Sequence, residues 1–598
     1  LPDGIPPWSG MFLWEPINDA FEGPYSDGNF DQSVIQHEYS HGLSNRYVSA
    51  EDGALNSHQS GSMGEGWGDW YALNHLYHEG LQNKAVVGEF VTGNASRGIR
   101  NWSYDNSPTG FGDIGYDIVG AEVHADGEIW TTMLWTMRKA LVAKYGEAQG
   151  GEIAARLVTD AMPLSPTDPS MLDERDAIIK ALDNRYHARS DFDTLFDIVY
   201  GAFASRGAGV TAHTKGGDDT DPVPSFQHAD SARNGRLVGK VVNASTGEPV
   251  AGARVMLGVL EARVSPVAKT SSTGQFAVPV TAGTYPVTIQ APGFGAQTFT
   301  GVAITAGGTK SLAFSMAPNL ASKSNGAEVV SSTDPNATAL IDDTEASSWK
   351  AKKGTGNTVV ALAKQAKITA VRVSAFTSSR FEALKSFTLQ TSTDGVVWKT
   401  QPIGKDAFSY EEPRPVVPDV HYKTFTLATP VTARYVRFWT DAPLGETKAN
   451  VQAAELQVFS GTVKDVGPLP ASPPDAPVTD QGTIAAGNPG SDSAIGVTAA
   501  DFESTCTAPP SSQGADGWVT TLPDSFGDGV HKVTVKGTSD APYDLDVYFY
   551  DASCKLIGSA ASGSADESGT LPSGTKYVLS QLWLGAGVSV TVTATDTE

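Results

Sequence analysis

The sequence predicts a multidomain protein in which a mainly α-helical region is followed by three β-sandwich modules. The chain has 598 residues, more than one hydrophobic core usually organises, and this length favours about four domains. Residues 1–212 hold nearly all of the long patterns in which apolar residues recur every three or four positions, as in DGEIWTTMLWTMRKALVAKYG at 126–146. The rest of the chain carries short alternating runs separated by turn residues, which are typical of β-strands.

Changes of pattern place the domain boundaries. Gly, Asp and Pro break the periodicity in AHTKGGDDTDPVPSFQ, so residues 213–234 are predicted to be a linker. Runs such as GRLVGKVVNASTGEPVAGARVML predict a small sandwich at 235–317, and runs such as ARYVRFWT predict a larger sandwich or jelly roll at 318–461. The proline-rich residues 462–485 are predicted to be an extended spacer. HKVTVKG and YDLDVYFYD predict a last β module at 486–598.

Composition and charge exclude several classes of protein. Apolar residues make up 40% of the chain, which supplies ample core material and argues against a disordered protein. The 67 acidic residues against 42 basic ones give a formal charge of −25, which repels phosphate backbones and anionic lipid. No run approaches the roughly 18 apolar residues that a membrane span requires. We therefore expect neither a nucleic-acid partner nor a membrane-spanning segment.

Two cysteines occur, Cys506 and Cys554, and both lie in the predicted last β module. Such a pair is compatible with a disulfide. Two buried, reduced thiols are the alternative.

The stretch QHEYSHGLSNR at 36–46 carries a possible metal site. On a helix, His37 and His41 at positions i and i+4 project from one face, and both imidazoles can reach one ion while Glu38 points beside it. This spacing is the zinc-protease motif, with Glu38 as the general base. The alternative is two helix histidines that share a face by chance.

Catalytic zinc takes three protein ligands, so a third donor is needed. Glu65 in SGSMGEGWGDWYALNHLYHE is the candidate, and Asp69 shares its helical face four residues later. A carboxylate that accepts the free N–H of a ligating imidazole fixes its tautomer, which is the role expected of Asp69. An ordinary helix with solvated acids would not explain three glycines, each costing up to about 1 kcal/mol in a helix interior. These glycines indicate close backbone packing near a site: Gly64, Gly66 and Gly68.

Four separated motifs, QHEYSHGLSNR, GSMGEGWGDW, GIRNWSYD and EVHADGEIW, together resemble the fungalysin family of secreted zinc metallopeptidases, distant relatives of thermolysin. The resemblance covers residues 1–212 and implies a mainly α, thermolysin-like catalytic lobe. Only 36 residues precede His37, so we expect most of the family's β-rich N-terminal lobe to be absent from this chain, which begins LPDGIPPWSG without a visible signal peptide. The resemblance also implies an extracellular location.

The resemblance implies a role for each motif residue. His37, His41 and Glu65 would bind one catalytic Zn²⁺, and Glu38 would deprotonate the attacking water. His124 in EVHADGEIW resembles the donor that stabilises the developing oxyanion. Residues expected to bind substrate are Arg100, which would hold a substrate carbonyl, the edge strand at 10–14 that begins with Gly10 and Met11, and the apolar side chains Val34 and Ile99.

The three downstream modules resemble accessory domains. Residues 235–317 resemble a carboxypeptidase regulatory-like, transthyretin-like sandwich through TGEPVAGARVML and AGTYPVTIQAPGF. Residues 318–461 resemble a discoidin, or galactose-binding-like, jelly roll, which implies a glycan or cell-surface ligand and often a structural Ca²⁺. Asp342 and Asp343 are candidate oxygen ligands for that ion, although paired acids in a turn are more often solvated. DLDVYFYDAS resembles the bacterial pre-peptidase C-terminal domain.

We therefore expect a secreted, monomeric zinc metalloendopeptidase that acts on proteins or peptides and is attached to its surroundings by C-terminal modules. Without the upstream lobe, this chain is expected to hold the metal yet to cleave weakly. The alternative is a non-catalytic glycan- or surface-binding protein with a peptidase-like scaffold. A glycan hydrolase lacks a localised carboxylate pair in this sequence.

Overall fold

The computed structural model describes most of the chain. The described residues are 10–14, 25–50, 55–115, 121–258, 265–376, 382, 384–408, 422–443, 450–461, 466–467, 478–486, 517–522, 531–539, 543–560, 565–572, 575–584 and 586–596. The chain divides into two compact units, the first comprising residues 1–307 and 311–468 and the second residues 308–310 and 469–598.

The first unit begins with a helical region. Its helices are α1 (Gln32–Tyr47), α2 (His58–His78), α3 (Glu89–Thr92), α4 (Val123–Tyr145), α5 (Glu147–Ala161), α6 (Met171–Tyr186) and α7 (Phe192–Ser205). Two short strands, β1 (Leu13–Trp14) and β2 (Ser26–Asp27), precede them and pair antiparallel. None of the described helices is both long and apolar enough to span a bilayer.

Close backbone packing joins α2 to α4. A Cβ placed on Gly66 would lie 2.7 Å from the carbonyl oxygen of Gly127, and one on Gly127 would lie 2.9 Å from Cβ of Glu65. Trp67 and Trp130 meet edge to face in the buried core beside this contact. By contrast, a Cβ on Gly64 would only reach Cδ1 of Leu55 at 3.5 Å, an ordinary contact. Two of the three predicted close approaches, Gly66 and Gly68, therefore occur.

The predicted linker at 213–234 packs against the start of α2. Gln59 is fully buried, and its Nε2 donates a hydrogen bond to the carbonyl oxygen of Asp219 at 2.7 Å. The backbone N–H of Gln59 donates to the carbonyl oxygen of Gly217 at 2.6 Å. His213 and Val223 pair across an antiparallel bridge within the same segment. The segment therefore supports the helix that carries Glu65.

The next part of the first unit is a β module with strands β3 (Asn234–Asn243), β4 (Arg254–Met256), β5 (Ala268–Lys269), β6 (Gln275–Thr281), β7 (Gly283–Gln290), β8 (Gln297–Ile304) and β9 (Thr309–Met316). One sheet contains β8-β7-β4-β5 and the other contains β6-β3-β9.

A larger β module follows, with strands β10 (Glu328–Ser332), β11 (Trp349–Ala351), β12 (Gly356–Ser374), β13 (Leu384–Ser392), β14 (Lys399–Gln401), β15 (Tyr422–Pro443), β16 (Val451–Ala453) and β17 (Glu455–Phe459). Its main sheet has the order β10-β12-β15-β13-β14 with β17 also paired to β12, and β11 pairs with β16. Strand β18 (Val466–Gly467) then pairs in parallel with β8 of the preceding module.

The second unit is also β-rich. Its strands are β19 (Val478–Ala486), β20 (Gly517–Thr521), β21 (His531–Thr538), β22 (Asp544–Tyr550), β23 (Leu556–Ala560), β24 (Glu567–Leu571), β25 (Tyr577–Leu584) and β26 (Ala586–Asp596). They form two four-stranded sheets, β19-β26-β21-β24 and β20-β25-β22-β23. A helical N-terminal region followed by β-rich modules is thus confirmed.

Asp343 joins the two β modules of the first unit through hydrogen bonds. Its Oδ2 accepts hydrogen bonds from the backbone of Gly293 at 2.8 Å and from Oγ of Ser322 at 2.5 Å. Its Oδ1 accepts from Nδ2 of Asn319 at 3.0 Å. The neighbouring Asp342 is exposed and accepts from Oγ of Ser347 at 2.6 Å. The predicted calcium site is therefore unsupported.

Candidate metal centre

Helix α1 presents the two motif histidines on one face. Asp31 caps its start, because Oδ1 accepts hydrogen bonds from the backbone N–H groups of Ser33 and Val34. The His37 and His41 rings lie with their centroids 4.8 Å apart and their planes at 89°. The i, i+4 spacing thus brings both imidazoles to one place, as expected for a helix.

Helix α2 brings Glu65 to the same place. Its Oε2 lies 3.2 Å from Nε2 of His37, and its Oε1 lies 3.7 Å from Nε2 of His41. One ligand atom from each of the three residues lies within 4.8 Å of the others. Among the described residues, the buried Oε2 of Glu65 has no hydrogen-bond partner. Two imidazole nitrogens and a carboxylate oxygen are a donor set of catalytic zinc sites, so the residues fit this ion.

Asp69 orients the His37 ring. Nδ1 of His37 lies 2.7 Å from Oδ1 of Asp69, which is 1% exposed. Because an ionised carboxylate only accepts hydrogen bonds, Nδ1 carries a proton, and Nε2, which lies on the Glu65 side, is the nitrogen that a metal would bind. This is the arrangement by which a carboxylate prepares a histidine to bind a metal.

Arg100 contacts Asp69 directly. Its Nε donates to Oδ2 at 2.6 Å and its Nη2 to Oδ1 at 2.8 Å, while Nη2 also lies 4.0 Å from Oε2 of Glu65. Tyr104 donates its hydroxyl to Oδ2 of the same carboxylate. Tyr104 could not be predicted from the sequence, since no spacing rule connects it to Asp69.

The charges around the centre shift the pKa values of its residues. Burial lowers the pKa of His37, but its contacts with the carboxylates of Asp69 and Glu65 outweigh burial and raise it to about 9. Burial and the neighbouring His37 lower the pKa of His41. Burial raises the pKa of Glu65, yet the contact with His37 and the charges of the nearby histidines outweigh burial and lower this pKa overall. Without a cation the cluster therefore retains a proton on His37, which a metal would displace.

His124 lies at the start of α4, with Nε2 at 3.4 Å from Oε2 of Glu65. Its Nδ1 donates to Oε1 of Glu122 at 2.5 Å, and this hydrogen bond raises the pKa of His124. Burial alone would raise the pKa of Glu122, but hydrogen bonds from His124 and Ala125 lower it to about 2. Glu122 also caps α4, so one carboxylate fixes both the helix start and the histidine. Glu122 was not among the predicted site residues, although its position two residues before His124 is a signal that the sequence contains.

The remaining predicted residues are less closely tied to the centre. Glu38 is exposed on α1 directly after His37, and its charge offsets only part of the lowering of the His41 pKa by burial and His37. Gly10 and Met11 are described but precede β1, so the observed edge strand is shorter than the predicted one. Val34 and Ile99 are both half-buried, and Ile99 packs against the core. Their substrate-binding roles stay predictions.

Cys554 is buried, whereas Cys506 lies outside the described residues. The disulfide between them therefore stays a prediction.

Two imidazoles and a carboxylate around one point, with an exposed carboxylate on the residue after His37, are the side chains that a metallopeptidase centre requires. Residues 1–212 match the sequence model of the fungalysin metallopeptidase (M36) family. Residues 236–317 match the carboxypeptidase regulatory-like domain, and residues 321–456 match the F5/8 type C domain. These three resemblances are therefore confirmed, while the likeness of the last module to the pre-peptidase C-terminal domain stays a prediction.

Curated metalloproteinases are similar to about a third of the chain. "Extracellular metalloproteinase MEP" of Leptosphaeria maculans is 34% identical over 252 residues, which cover 38% of this chain and 36% of the relative. "Extracellular metalloproteinase 4" of Arthroderma otae is 34% identical over 231 residues, covering 35% of this chain and 34% of the relative. The chain thus spans about a third of the length of these relatives.

Solved carbohydrate-binding modules are similar to part of the chain. The family 32 module from Streptococcus pneumoniae EndoD covers 24% of this chain and 99% of its own length, with 18% identity and a TM-score of 0.19. The family 32 module of NanJ from Clostridium perfringens, in complex with galactose, also has 18% identity and a TM-score of 0.19. It covers 24% of this chain and 98% of its own length. TM-scores of this size carry no functional argument.

Proposed function

We propose that the chain is part of a secreted zinc metalloendopeptidase that hydrolyses internal peptide bonds of proteins. The convergence of His37, His41 and Glu65 carries this proposal, because their ligand atoms lie within 4.8 Å of one another. Zinc bound by three protein ligands would supply a water with a pKa of about 7 and would polarise the substrate carbonyl.

The residues of the chain have separate parts in the reaction. The Glu38 carboxylate accepts the proton of the attacking water and passes it to the leaving amine, as general acid–base catalysis requires. His124, held by Glu122, donates a hydrogen bond to the carbonyl oxygen as that oxygen gains negative charge. Asp69 holds the His37 ring, so that the ring keeps one orientation through the cycle.

The β-rich modules are proposed to attach the peptidase to glycans or cell surfaces. The F5/8 type C match at residues 321–456 supports this role, since the discoidin-like resemblance implies such ligands. Binding of the inactive Glu38→Gln chain to insoluble cell-wall polysaccharide tests it, and failure to bind above a bovine albumin control would reject it.

Zinc content and proteolysis test the catalytic proposal together. The purified chain is expected to hold one zinc per molecule and to cleave fluorescent casein, and a chelator is expected to stop cleavage. Glu38→Gln should abolish cleavage and retain zinc. Glu152→Gln, an exposed carboxylate on α5, is the matched control and should cleave normally. Casein cleavage that survives either the chelator or Glu38→Gln would overturn the proposal.

A further inference from the structure

The carboxylate of Asp69 receives four hydrogen bonds from three side chains. His37 Nδ1 and Arg100 Nη2 donate to Oδ1, at 2.7 and 2.8 Å. Arg100 Nε donates to Oδ2 at 2.6 Å, and the hydroxyl of Tyr104 donates to the same oxygen. Each carboxylate oxygen accepts about two hydrogen bonds, so both oxygens are fully used.

All of these groups are shielded from water. Asp69 and Tyr104 are each 1% exposed, and Arg100 is 7% exposed. No solvent can therefore replace a donor that is removed, and an unsatisfied oxygen would be costly in this environment. The Arg100 guanidinium provides one donor to Oδ2 of Asp69, and the Tyr104 hydroxyl provides the second.

The loop that carries Arg100 and Tyr104 is itself anchored. The backbone N–H groups of Asn101 and Trp102 donate to the Glu128 carboxylate of α4, at 2.8 and 3.3 Å. Glu128 is buried, with 2% of its surface exposed. The donors of Asp69 therefore have fixed positions relative to α4, the helix that also carries His124.

We propose that Tyr104 is a positioning residue of the metal centre: its hydroxyl holds the Asp69 carboxylate in the orientation that directs Nε2 of His37 at the ion. This inference rests on the proposed function. Tyr104 acts through Asp69 and His37 and does not contact the ion. Its ring belongs to the hydrophobic core, and Tyr104→Phe keeps the ring while removing only the hydroxyl.

Zinc dissociation from the full chain tests the inference, with transfer of the metal to a coloured chelator as the readout. Loss of a direct partner of a ligating histidine lowers metal affinity by ~10–100-fold. Because Tyr104 lies one hydrogen bond further from the histidine, we expect a smaller effect. Tyr104→Phe should release zinc ~3–10-fold faster than the parent protein. The matched control is Tyr71→Phe, on the same helix as Asp69. The Tyr71 hydroxyl contacts Oγ1 of Thr159 at 2.7 Å, so its removal should leave the zinc dissociation rate unchanged.

A double-variant cycle shows whether Tyr104 acts through Asp69. The double variant that carries Asp69→Asn and Tyr104→Phe is expected to release zinc no faster than the single variant Asp69→Asn. The cobalt-substituted Tyr104→Phe protein should also show an altered visible spectrum, which a change in folding stability alone would not produce. Thermal unfolding of the metal-free variants checks that they fold.

Three results would overturn the inference: parental zinc release in Tyr104→Phe, equal acceleration in Tyr71→Phe, or full acceleration by Tyr104→Phe in the Asp69→Asn background. A parent chain that binds zinc but never cleaves casein would overturn the proposed function, whereas the zinc release rates would still decide the role of Tyr104.

Discussion

The His37 imidazole lies directly against the α-carbon of Gly68. A Cβ on Gly68 would fall 2.5 Å from Nδ1 and 2.7 Å from Cε1 of the ring. No side chain fits there, because real Cβ atoms do not approach other atoms so closely. A glycine in the middle of α2, unfavourable for the helix by about 1 kcal/mol, is therefore explained by the space that the His37 ring occupies.

Replacement of Gly68 by alanine should weaken zinc binding. The added methyl group displaces the His37 ring and its contact with Asp69, and loss of such a contact lowers metal affinity by about 10–100-fold. Competition with a chelator measures the change. Gly64→Ala is the control, because its Cβ would meet only Cδ1 of Leu55 at 3.5 Å and should leave zinc affinity intact. Equal zinc affinities of the two variants would contradict this account of Gly68.

Removal of the His124 imidazole should slow catalysis without loss of zinc. Loss of one donor to a developing oxyanion reduces kcat by about 10²–10³-fold. The variant His124→Ala is compared with His187→Ala, an exposed histidine that pairs with Asp183 and should be neutral. Peptide-cleavage kinetics and zinc content are both measured. Zinc loss in His124→Ala would instead make this residue a ligand, since Nε2 lies 3.4 Å from Glu65.

Zinc binding should release about one proton near neutral pH. The pKa of His37 is raised to about 9 in the metal-free protein, whereas that of His41 is lowered, so His37 alone carries a proton that zinc displaces. The apparent zinc affinity should rise as the pH increases toward 9 and then level off. Calorimetric titrations in buffers of different ionisation enthalpy count the protons. Zinc binding at pH 7.5 without proton release would reject this pKa assignment.

The metal-free protein should lose stability as the pH rises from about 5 to 8. Burial raises the pKa of Glu174 to about 8 from an ordinary 4.5, so the folded state binds a proton that the unfolded state has lost over this range. By linkage, the free energy of unfolding then falls with rising pH. His37 acts in the same direction. Its raised pKa stabilises the folded state fully below pH 6.5, and this stabilisation is lost as the pH passes about 9.

Thermal unfolding at pH 5.5 and pH 8 measures this dependence. Glu174→Gln should reduce it, because the amide does not titrate, while the exposed Glu152→Gln should leave it unchanged. A pH dependence that is identical in Glu174→Gln would show that Glu174 does not contribute.

Loss of the Asp343 carboxylate should destabilise the first unit. Asp343→Ala leaves the donors of Gly293, Asn319 and Ser322 buried without an acceptor, and each such group costs about 1–3 kcal/mol. Calorimetric unfolding should show a lower transition temperature than for Asp342→Ala, the exposed neighbour. A calcium chelator should not lower the transition temperature of the parent. A chelator effect that Asp342→Ala abolishes would restore the calcium hypothesis.

Local periodicity made the core of the candidate site predictable. His37 and His41 are four residues apart on one helix, as are Glu65 and Asp69 on the next, and this spacing alone places each pair on one face. Tyr104 reaches Asp69 across 35 residues of chain, which no spacing rule encodes. It was therefore found only in the folded structure.

Composition does not show where polar segments pack through their backbones. Residues 213–234 are rich in Gly, Asp and Pro, a pattern typical of linkers, yet their carbonyl oxygens accept hydrogen bonds from buried Gln59. Asp343 resembled a solvated turn acid for the same reason, because the sequence does not show that Gly293 and Asn319 approach it.

The packing of residues 213–221 on α2 bears on where a recombinant fragment should stop. A fragment that ends at residue 212 would leave the buried side-chain amide of Gln59 without its acceptors. The first turn of the helix that carries Glu65 would also lose its packing partner. Extending the fragment through residue 228 keeps those carbonyl acceptors. Poor yield or weak metal uptake by the shorter piece would then reflect its boundary rather than its chemistry.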